Sequence, residues 1–298
     1  MAGEASGQQQ GSGSGSGSGD RVALVTGANR GIGLEVARGL ASTGMTVVLA
    51  CRDAGKADAA ARALRSSTGN ERIETLTVDL ADQRSIRAAA DAFRERFDRL
   101  HVLVNNAGLV SRGYEKTTDG IERCFAVNHL APFLWTNLLL KHIEASGPAR
   151  ILTVSSEAHR RADDPNEPAE QGYDPLDAYC RSKLANIYFT NQLAQRLLGT
   201  SVTANAVHPG TLKTGMIDDV LANRWWLGLI GLVAKPFLAG PEKGGEALCA
   251  LATEDRFASF NGKYFKGTQE VQSSPVSYDE IIGNQLWERS LELTSRSR

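Results

Sequence analysis

The strongest constraint on this chain is an alternation of two hydrophobic periods after residue 20. Short β-type runs occur at residues 22–26, 46–50, 73–78, 100–104, 151–154, 201–207 and 262–265. Helical stretches separate most of them, at 35–40, 85–97, 133–143, 178–198 and 243–253, and another closes the chain at 278–293. Within 85–97, Ile86, Ala90, Phe93 and Phe97 fall on one helical face. Strands separated by helices connect as right-handed βαβ units. The pattern therefore predicts an α/β chain, a single-domain Rossmann-type doubly wound parallel sheet with helices on both faces. Ligands bind such sheets at the carboxyl ends of the strands.

Composition bounds the rest. Lys and Arg total 33 and Asp and Glu total 34, a net charge of −1. No basic excess is available for nucleic acid. Four cysteines without tight spacing exclude a disulfide framework and a cysteine-based zinc site, so no metal is expected. They predict a reducing compartment, the cytoplasm. Glycine is 30 of 298, and seven of these lie in residues 1–19, a Gly/Ser-rich stretch with almost nothing apolar. That stretch predicts disorder. A natural tail and an appended linker both remain open for it. Residues 20–298 then form one domain. No apolar run reaches the roughly 18 residues of a membrane span. The nearest, 225–234, is cut short by Pro236 and reads as a buried or lid helix, with a membrane-surface contact as the other option.

The first strand ends in Thr26-Gly27-Ala28-Asn29-Arg30-Gly31-Ile32-Gly33, and a helix follows. Glycines at a βα junction let backbone N–H groups approach a pyrophosphate, and the helix N-terminus favours the anion. Further on stand Asp79-Leu80, Asn105-Asn106-Ala107-Gly108, Asn128, Ser155-Ser156, Tyr179 with Lys183 four residues later, and Pro209-Gly210 followed by Leu212 and Thr214. The glycine spacing and this order of motifs resemble the short-chain dehydrogenase/reductase family along nearly the whole chain after residue 20. Ser155-Ser156-Glu157-Ala158-His159, the stretch 182–188 and Gly262-Lys263-Tyr264-Phe265 resemble its retinol-dehydrogenase-like branch, near protochlorophyllide reductase.

The resemblance implies an oxidoreductase that moves a hydride between a nicotinamide and a carbonyl or alcohol carbon. Tyr179 would be the proton donor or acceptor, and Lys183 would lower its pKa and bind the nicotinamide ribose. Ser156 would bind the substrate oxygen, the family pattern favouring it over Ser155. Asn128 would hold a relay water. The cofactor set would be Gly27, Asn29, Arg30, Gly31, Ile32, Gly33, Arg52, Asp79, Leu80, Asn106, Ala107, Gly108, Tyr179, Lys183, Pro209, Gly210, Leu212 and Thr214. For Asp79 a helix N-cap role is the competing reading, with Asp82 as another candidate cap.

The second strand ends Cys51-Arg52-Asp53. By the resemblance, Cys51 stands where NAD-preferring members carry a carboxylate. Arg30 and Arg52 together could clamp a 2′-phosphate, which predicts NADP(H) over NAD(H). The branch implies a small hydrophobic aldehyde, ketone or alcohol as substrate. Residues 157–178 and 216–238, the latter with Trp225, Trp226, Leu227 and Ile230, would wall the site. His159 and His208 read as structural hydrogen-bonders rather than substrate ligands, and all four cysteines as structural. The family implies a homodimer or homotetramer through the helices after the fourth and fifth strands, and their apolar residues fit an intramolecular core equally well. Two other readings are weighed: a sugar-nucleotide-type epimerase or dehydratase on the same fold, and a non-catalytic NADP(H)-binding sensor or scaffold. Glycine spacing and chain length disfavour the first. The intact Ser156, Tyr179, Lys183 and Asn128 disfavour the second.

Overall fold

The computed structural model describes residues 21–210 and 240–295. Eight strands form one sheet, in the order β3-β2-β1-β4-β5-β6-β7-β8. They are β1 (Val22–Thr26), β2 (Thr46–Cys51), β3 (Ile73–Thr77), β4 (Val102–Asn105), β5 (Ala149–Val154), β6 (Val202–His208), β7 (Tyr264–Lys266) and β8 (Gln269–Val271). All pairings are parallel except β7 with β8. The chain runs outward from β1 to β3, then returns to place β4 on the other side of β1. The crevice at that reversal opens between the ends of β1 and β4, where open α/β sheets bind ligands.

Helices α1 (Gly31–Ser42), α2 (Ala54–Thr68) and α7 (Pro241–Thr253) cover one face. Helices α3 (Gln83–Arg96), α5 (Ala131–Glu144) and α6 (Pro175–Arg196) cover the other, with α8 (Glu280–Ser295) packed on α6. Strand β1 shows why both faces must be covered. Val22 and Leu24 enter the core under α3 and α5, while Ala23 and Val25 enter the core under α1 and α2. A strand buried on both faces reads as a continuous apolar run.

Three elements go beyond the alternation pattern. Helix α2 has only Ala57, Ala60, Ala61 and Leu64 on its buried face, too small an apolar stripe to stand out, and is delimited instead by the Asp53 cap and by Gly69 at φ 69°. Strand β8 has three residues and returns through Gly267 at φ 59°. The helix after β4 begins earlier than residue 133. It starts as α4 (Arg123–Phe125), passes through a π turn (Ala126–Leu130) and continues as α5. Of the apolar residues on the helices after the fourth and fifth strands, Leu139, Ile187, Leu193 and Leu197 are buried within the single chain. No described helix is long and apolar enough to cross a membrane. Residues 1–19, 216–238, Leu212 and Thr214 lie outside the described residues, and so do the expectations placed on them.

Candidate active site

The glycine loop is held from three sides. The Gly27 N–H donates to the Ala50 carbonyl at 2.8 Å. Gly27 and Gly31 adopt φ of 66° and 58°, the left-handed region that glycine enters without steric penalty. A Cβ at Gly33 would stand 2.5 Å from the Gly27 carbonyl oxygen, so the helix can begin this close to the loop only with glycine there. Arg30 is the extended N-cap of α1 and offers no side-chain cap, and no acidic residue occupies the first turn. The N–H groups that open α1 therefore keep their free valence and positive end, the arrangement that receives a phosphate. At Gly31 a Cβ would meet nothing within 4 Å, so the space before the helix is open. The loop fits a pyrophosphate.

Asn106 ties the crevice together. Its side-chain amide donates to the Thr26 carbonyl at 2.9 Å, and the Asn106 and Ala107 N–H groups donate to the Thr26 hydroxyl at 3.0 and 3.1 Å. Asn105 instead reaches the Thr136 hydroxyl of α5 at 3.0 Å, fixing helix to sheet. Asp79 makes a local turn, accepting from the Ala81 N–H at 3.0 Å. Asp82, not Asp79, caps α3. Leu80 is half-buried against the core.

At the end of β2 the buried Cys51 thiol lies beside the backbone of Ala28 and Asn29, and burial pushes its pKa up. Asp53 is turned away from this end: it caps α2 through the Lys56 N–H and pairs with the Lys56 ammonium, each at 3.0 Å. Arg30 and Arg52 are both exposed.

The two serines after β5 do different things. Ser155 is buried and its hydroxyl donates to the Lys183 carbonyl at 2.8 Å, a tie between β5 and α6. Ser156 caps the 3-10 turn Glu157–Arg161, accepting from the Ala158 N–H at 3.2 Å, and its hydroxyl stands near enough to the Tyr179 side chain to favour the phenolate. Tyr179 and Lys183 share one face of α6, and the Lys183 ammonium lies 5.6 Å from the centre of the Tyr179 ring. Lys183 donates to the Val154 carbonyl at 3.0 Å.

Burial governs the protonation of this pair. It pushes Tyr179 up to about 12, with Ser156 opposing, and lowers Lys183 to about 8. The lowering of Tyr179 expected from the neighbouring ammonium is not among the causes of this shift, which desolvation dominates.

Asn128 sits in the π turn, fully buried. Its carbonyl oxygen accepts from the Leu109 N–H at 2.8 Å, and its amide donates to the Leu109 carbonyl at 2.9 Å and the Ser182 hydroxyl at 3.0 Å. It locks the segment after β4 onto α6. A Cβ at Gly108 would come 3.3 Å from both the Asn128 oxygen and the Lys183 nitrogen, so glycine keeps that approach clear. Pro132 has no N–H to return to the Asn128 backbone carbonyl four residues back. π turns inside helices recur at functional sites. Pro209 follows β6, and Gly210 takes φ 104°.

Several contributors escape sequence reasoning. Glu122 is fully buried and caps α4, accepting from the Cys124 and Phe125 N–H groups at 2.7 Å each and from the Tyr173 hydroxyl at 2.8 Å. Cys124, read as merely structural, accepts from the Asn128 amide at 3.2 Å. His159 bonds only backbone groups, the Ser156 carbonyl and the Ser274 N–H, as a structural hydrogen-bonder should. No spacing rule links 122 to 173 or 159 to 274. Among the described residues no group of His, Cys, Asp and Glu could hold a metal.

The sequence profile of the family described as short chain dehydrogenase matches residues 21–225. Retinol dehydrogenase 11 of Mus musculus is 42% identical over 275 residues, covering 92% of this chain and 86% of that protein. Among solved structures, an uncharacterized protein from Mycobacterium Paratuberculosis superposes with a TM-score of 0.73 at 32% identity, covering 92% of this chain and 93% of that one. Pseudomonas aeruginosa RhlG in its NADP active-site complex gives a TM-score of 0.66 at 28% identity, covering 83% and 94%. With its sheet order, glycine loop and motif order, this chain belongs to the short chain dehydrogenase family of oxidoreductases, in the retinol-dehydrogenase-like branch.

Proposed function

We propose that the protein is an NADP(H)-dependent reductase, reversible as a dehydrogenase, acting on a small hydrophobic aldehyde, ketone or alcohol. One observation carries the reading: the Lys183 ammonium stands 5.6 Å from the centre of the Tyr179 ring, with the Ser156 hydroxyl near enough to act on the same phenol. A bound nicotinamide would supply the hydride to the carbonyl carbon in reduction and accept it in oxidation. Tyr179, protonated at neutral pH, gives its phenolic proton to the substrate oxygen as negative charge develops there. Ser156 holds that oxygen and stabilises the charge by a second hydrogen bond. The Lys183 ammonium stabilises the phenolate left behind and holds the ribose hydroxyls. Asn128 keeps Lys183 and the segment after β4 in register, on the route by which the proton is resupplied.

Gly27, Asn29, Gly31, Ile32 and Gly33 would hold the pyrophosphate of such a cofactor, Asp79 and Leu80 its adenine, and Asn106, Ala107 and Gly108 its ribose. Pro209 and Gly210 would meet the nicotinamide. The phosphate-specific form is favoured by charge. Arg30 and Arg52 make no ion pair among the described residues, and Cys51 puts no carboxylate at the end of β2. Asp53, the nearest acid, is engaged by Lys56. RhlG, a neighbour in fold, is described in complex with NADP. The similarity to retinol dehydrogenase 11 supports an apolar substrate.

The test follows NADPH oxidation at 340 nm across a panel of aliphatic, aromatic and polyene aldehydes and ketones. Turnover is expected for apolar members and lost in Tyr179→Phe. Turnover that survives Tyr179→Phe, or NADPH binding with no turnover across the panel, would refute the reading.

A further inference from the structure

The turn that carries Ser156 is fastened to the C-terminal part of the chain at three of its residues, Glu157, His159 and Arg160, and of these His159 alone also bonds the Ser156 carbonyl. His159 is fully buried in the 3-10 turn after β5. Its Nδ1 lies 2.6 Å from the Ser156 carbonyl oxygen, and the Ser274 N–H lies 3.0 Å from its Nε2. A carbonyl only accepts and a backbone N–H only donates. The two partners therefore select one state, the neutral ring with its proton on Nδ1 and a lone pair on Nε2.

The surroundings hold that ring still. It packs edge-on against Tyr264 of β7, centroids 5.0 Å apart at 71°, and the Tyr264 hydroxyl donates to Glu157 at 2.9 Å. Arg160 joins Glu157 at 3.2 Å and also bonds the Gln272 carbonyl. Ser274 opens a short turn that the Ser273 and Ser277 hydroxyls close at 2.6 Å. Asn191 of α6 donates to the Ser277 carbonyl at 3.0 Å. The far side of the His159 bond is thus fixed to the same helix that bears Tyr179.

Ser156 is extended, with φ −157° and ψ 153°, and its carbonyl accepts the backbone N–H of His159 at 3.1 Å, the first bond of the turn, as well as the imidazole Nδ1 of the same residue at 2.6 Å. Rotation of that carbonyl is rotation about ψ of Ser156 and moves the turn that its hydroxyl caps. We propose that His159 is a positioning residue: by donating from Nδ1 to the Ser156 carbonyl it keeps the Ser156 hydroxyl aimed at Tyr179 and the substrate oxygen. The proposal rests on the reading of Ser156 given above.

Two substitutions separate the halves of the staple in the full chain. His159→Asn places an amide N–H near the position of Nδ1 and can still donate to Ser156. His159→Gln places its amide near Nε2, keeps a partner for Ser274 and abandons Ser156. With NADPH and the aldehyde that the wild type turns over fastest, kcat falls about 10- to 100-fold in His159→Gln and stays within about threefold in His159→Asn, the scale expected of a displaced reacting group. The Kd for NADPH, read by its fluorescence, stays within about twofold in both. Equal losses of kcat in both variants, or undiminished kcat in His159→Gln, overturn the proposal.

Nitrogen-15 spectra of the wild-type imidazole provide a readout independent of turnover. A protonated Nδ1 and bare Nε2 are expected, and the opposite tautomer overturns the proposal. Ser156→Ala serves as the control for the underlying reading. Wild-type turnover in that variant removes the role of Ser156 itself. Its loss alongside an unaffected His159→Gln removes only the role of His159.

Discussion

Replacing Lys183 by methionine should abolish turnover and stabilise the protein. The Lys183 side chain is 3% exposed and carries no carboxylate partner among the described residues. Burial takes its pKa from the usual 10.5 to about 8, and at about 1.4 kcal/mol per pH unit this places the penalty for the folded ammonium near 3 kcal/mol. Methionine fills a similar volume without charge. It gives up the 3.0 Å bond to the Val154 carbonyl, worth about 1 kcal/mol, and the Asn186 amide still reaches that carbonyl at 3.3 Å. The net gain is about 2 kcal/mol at pH 7, or roughly 4–8 °C in Tm for a domain of this size.

The sign of the pH dependence follows from linkage. Below about pH 8 both folded and unfolded wild type hold the proton, so the folded state bears the full penalty. Between about 8 and 10.5 the folded state releases the proton while the unfolded state keeps it, so wild-type stability rises with pH. The advantage of Lys183→Met should be largest at pH 7 and nearly gone above pH 10. Calorimetry of both cofactor-free proteins at pH 7 and pH 10 reads this directly. A lower Tm for the variant at pH 7, or a gap that does not close with pH, would refute the reasoning.

Three further outcomes are expected. Gly33→Ala must move the glycine loop, because its Cβ would stand 2.5 Å from the backbone oxygen of Gly27. Overpacking of about 1–3 kcal/mol exceeds the gain in helix propensity of about 1, so Tm falls by a few degrees and NADPH binding, followed by titration, is lost. Arg52→Ser weakens NADPH about tenfold or more while leaving NADH within about twofold, since a charge-assisted bond to phosphate contributes about 1.5–3 kcal/mol. Equal weakening of both cofactors would remove the 2′-phosphate assignment. Tyr173→Phe leaves the buried Glu122 carboxylate with its two backbone donors only and lowers stability by about 1–3 kcal/mol in urea titration, with the m-value unchanged.

What the sequence discloses and what it hides divide along a physical line. Strand β1 and the glycine loop are legible because backbone constraints act within a few residues: an apolar run buried on both faces, then glycines where a left-handed turn and a close helix start require them. Tyr179 and Lys183 are legible because helical geometry alone puts positions i and i+4 together. Ser155 and Ser156 are adjacent, and only the fold binds one hydroxyl to the Lys183 carbonyl and leaves the other capping the next turn on the Tyr179 side. Contacts at long separation leave no spacing signal, which is why Glu122 with Tyr173 and His159 with Ser274 appear only in three dimensions. Titration is hidden for the same reason. The sign of the shift at Tyr179 depends on how much protein covers it, and proximity to a lysine in the sequence does not report that.

Several departures from ordinary structure stand at one end of the sheet. Two glycines in left-handed conformation, an uncapped N-terminus on α1, a π turn ahead of a proline, a buried carboxylate without a cation and a buried ammonium all lie beyond the carboxyl ends of β1, β4 and β5 or behind them. Some of them leave a group available to a ligand: open N–H groups for phosphate and an ammonium for ribose and phenolate, the latter at a cost in stability. The two apolar cores flanking the sheet supply the stability that tolerates this. A local change that makes the site more like the rest of the fold should therefore raise stability and reduce activity together, and Lys183→Met is the most direct case because its charge is both the destabilising feature and the catalytic one.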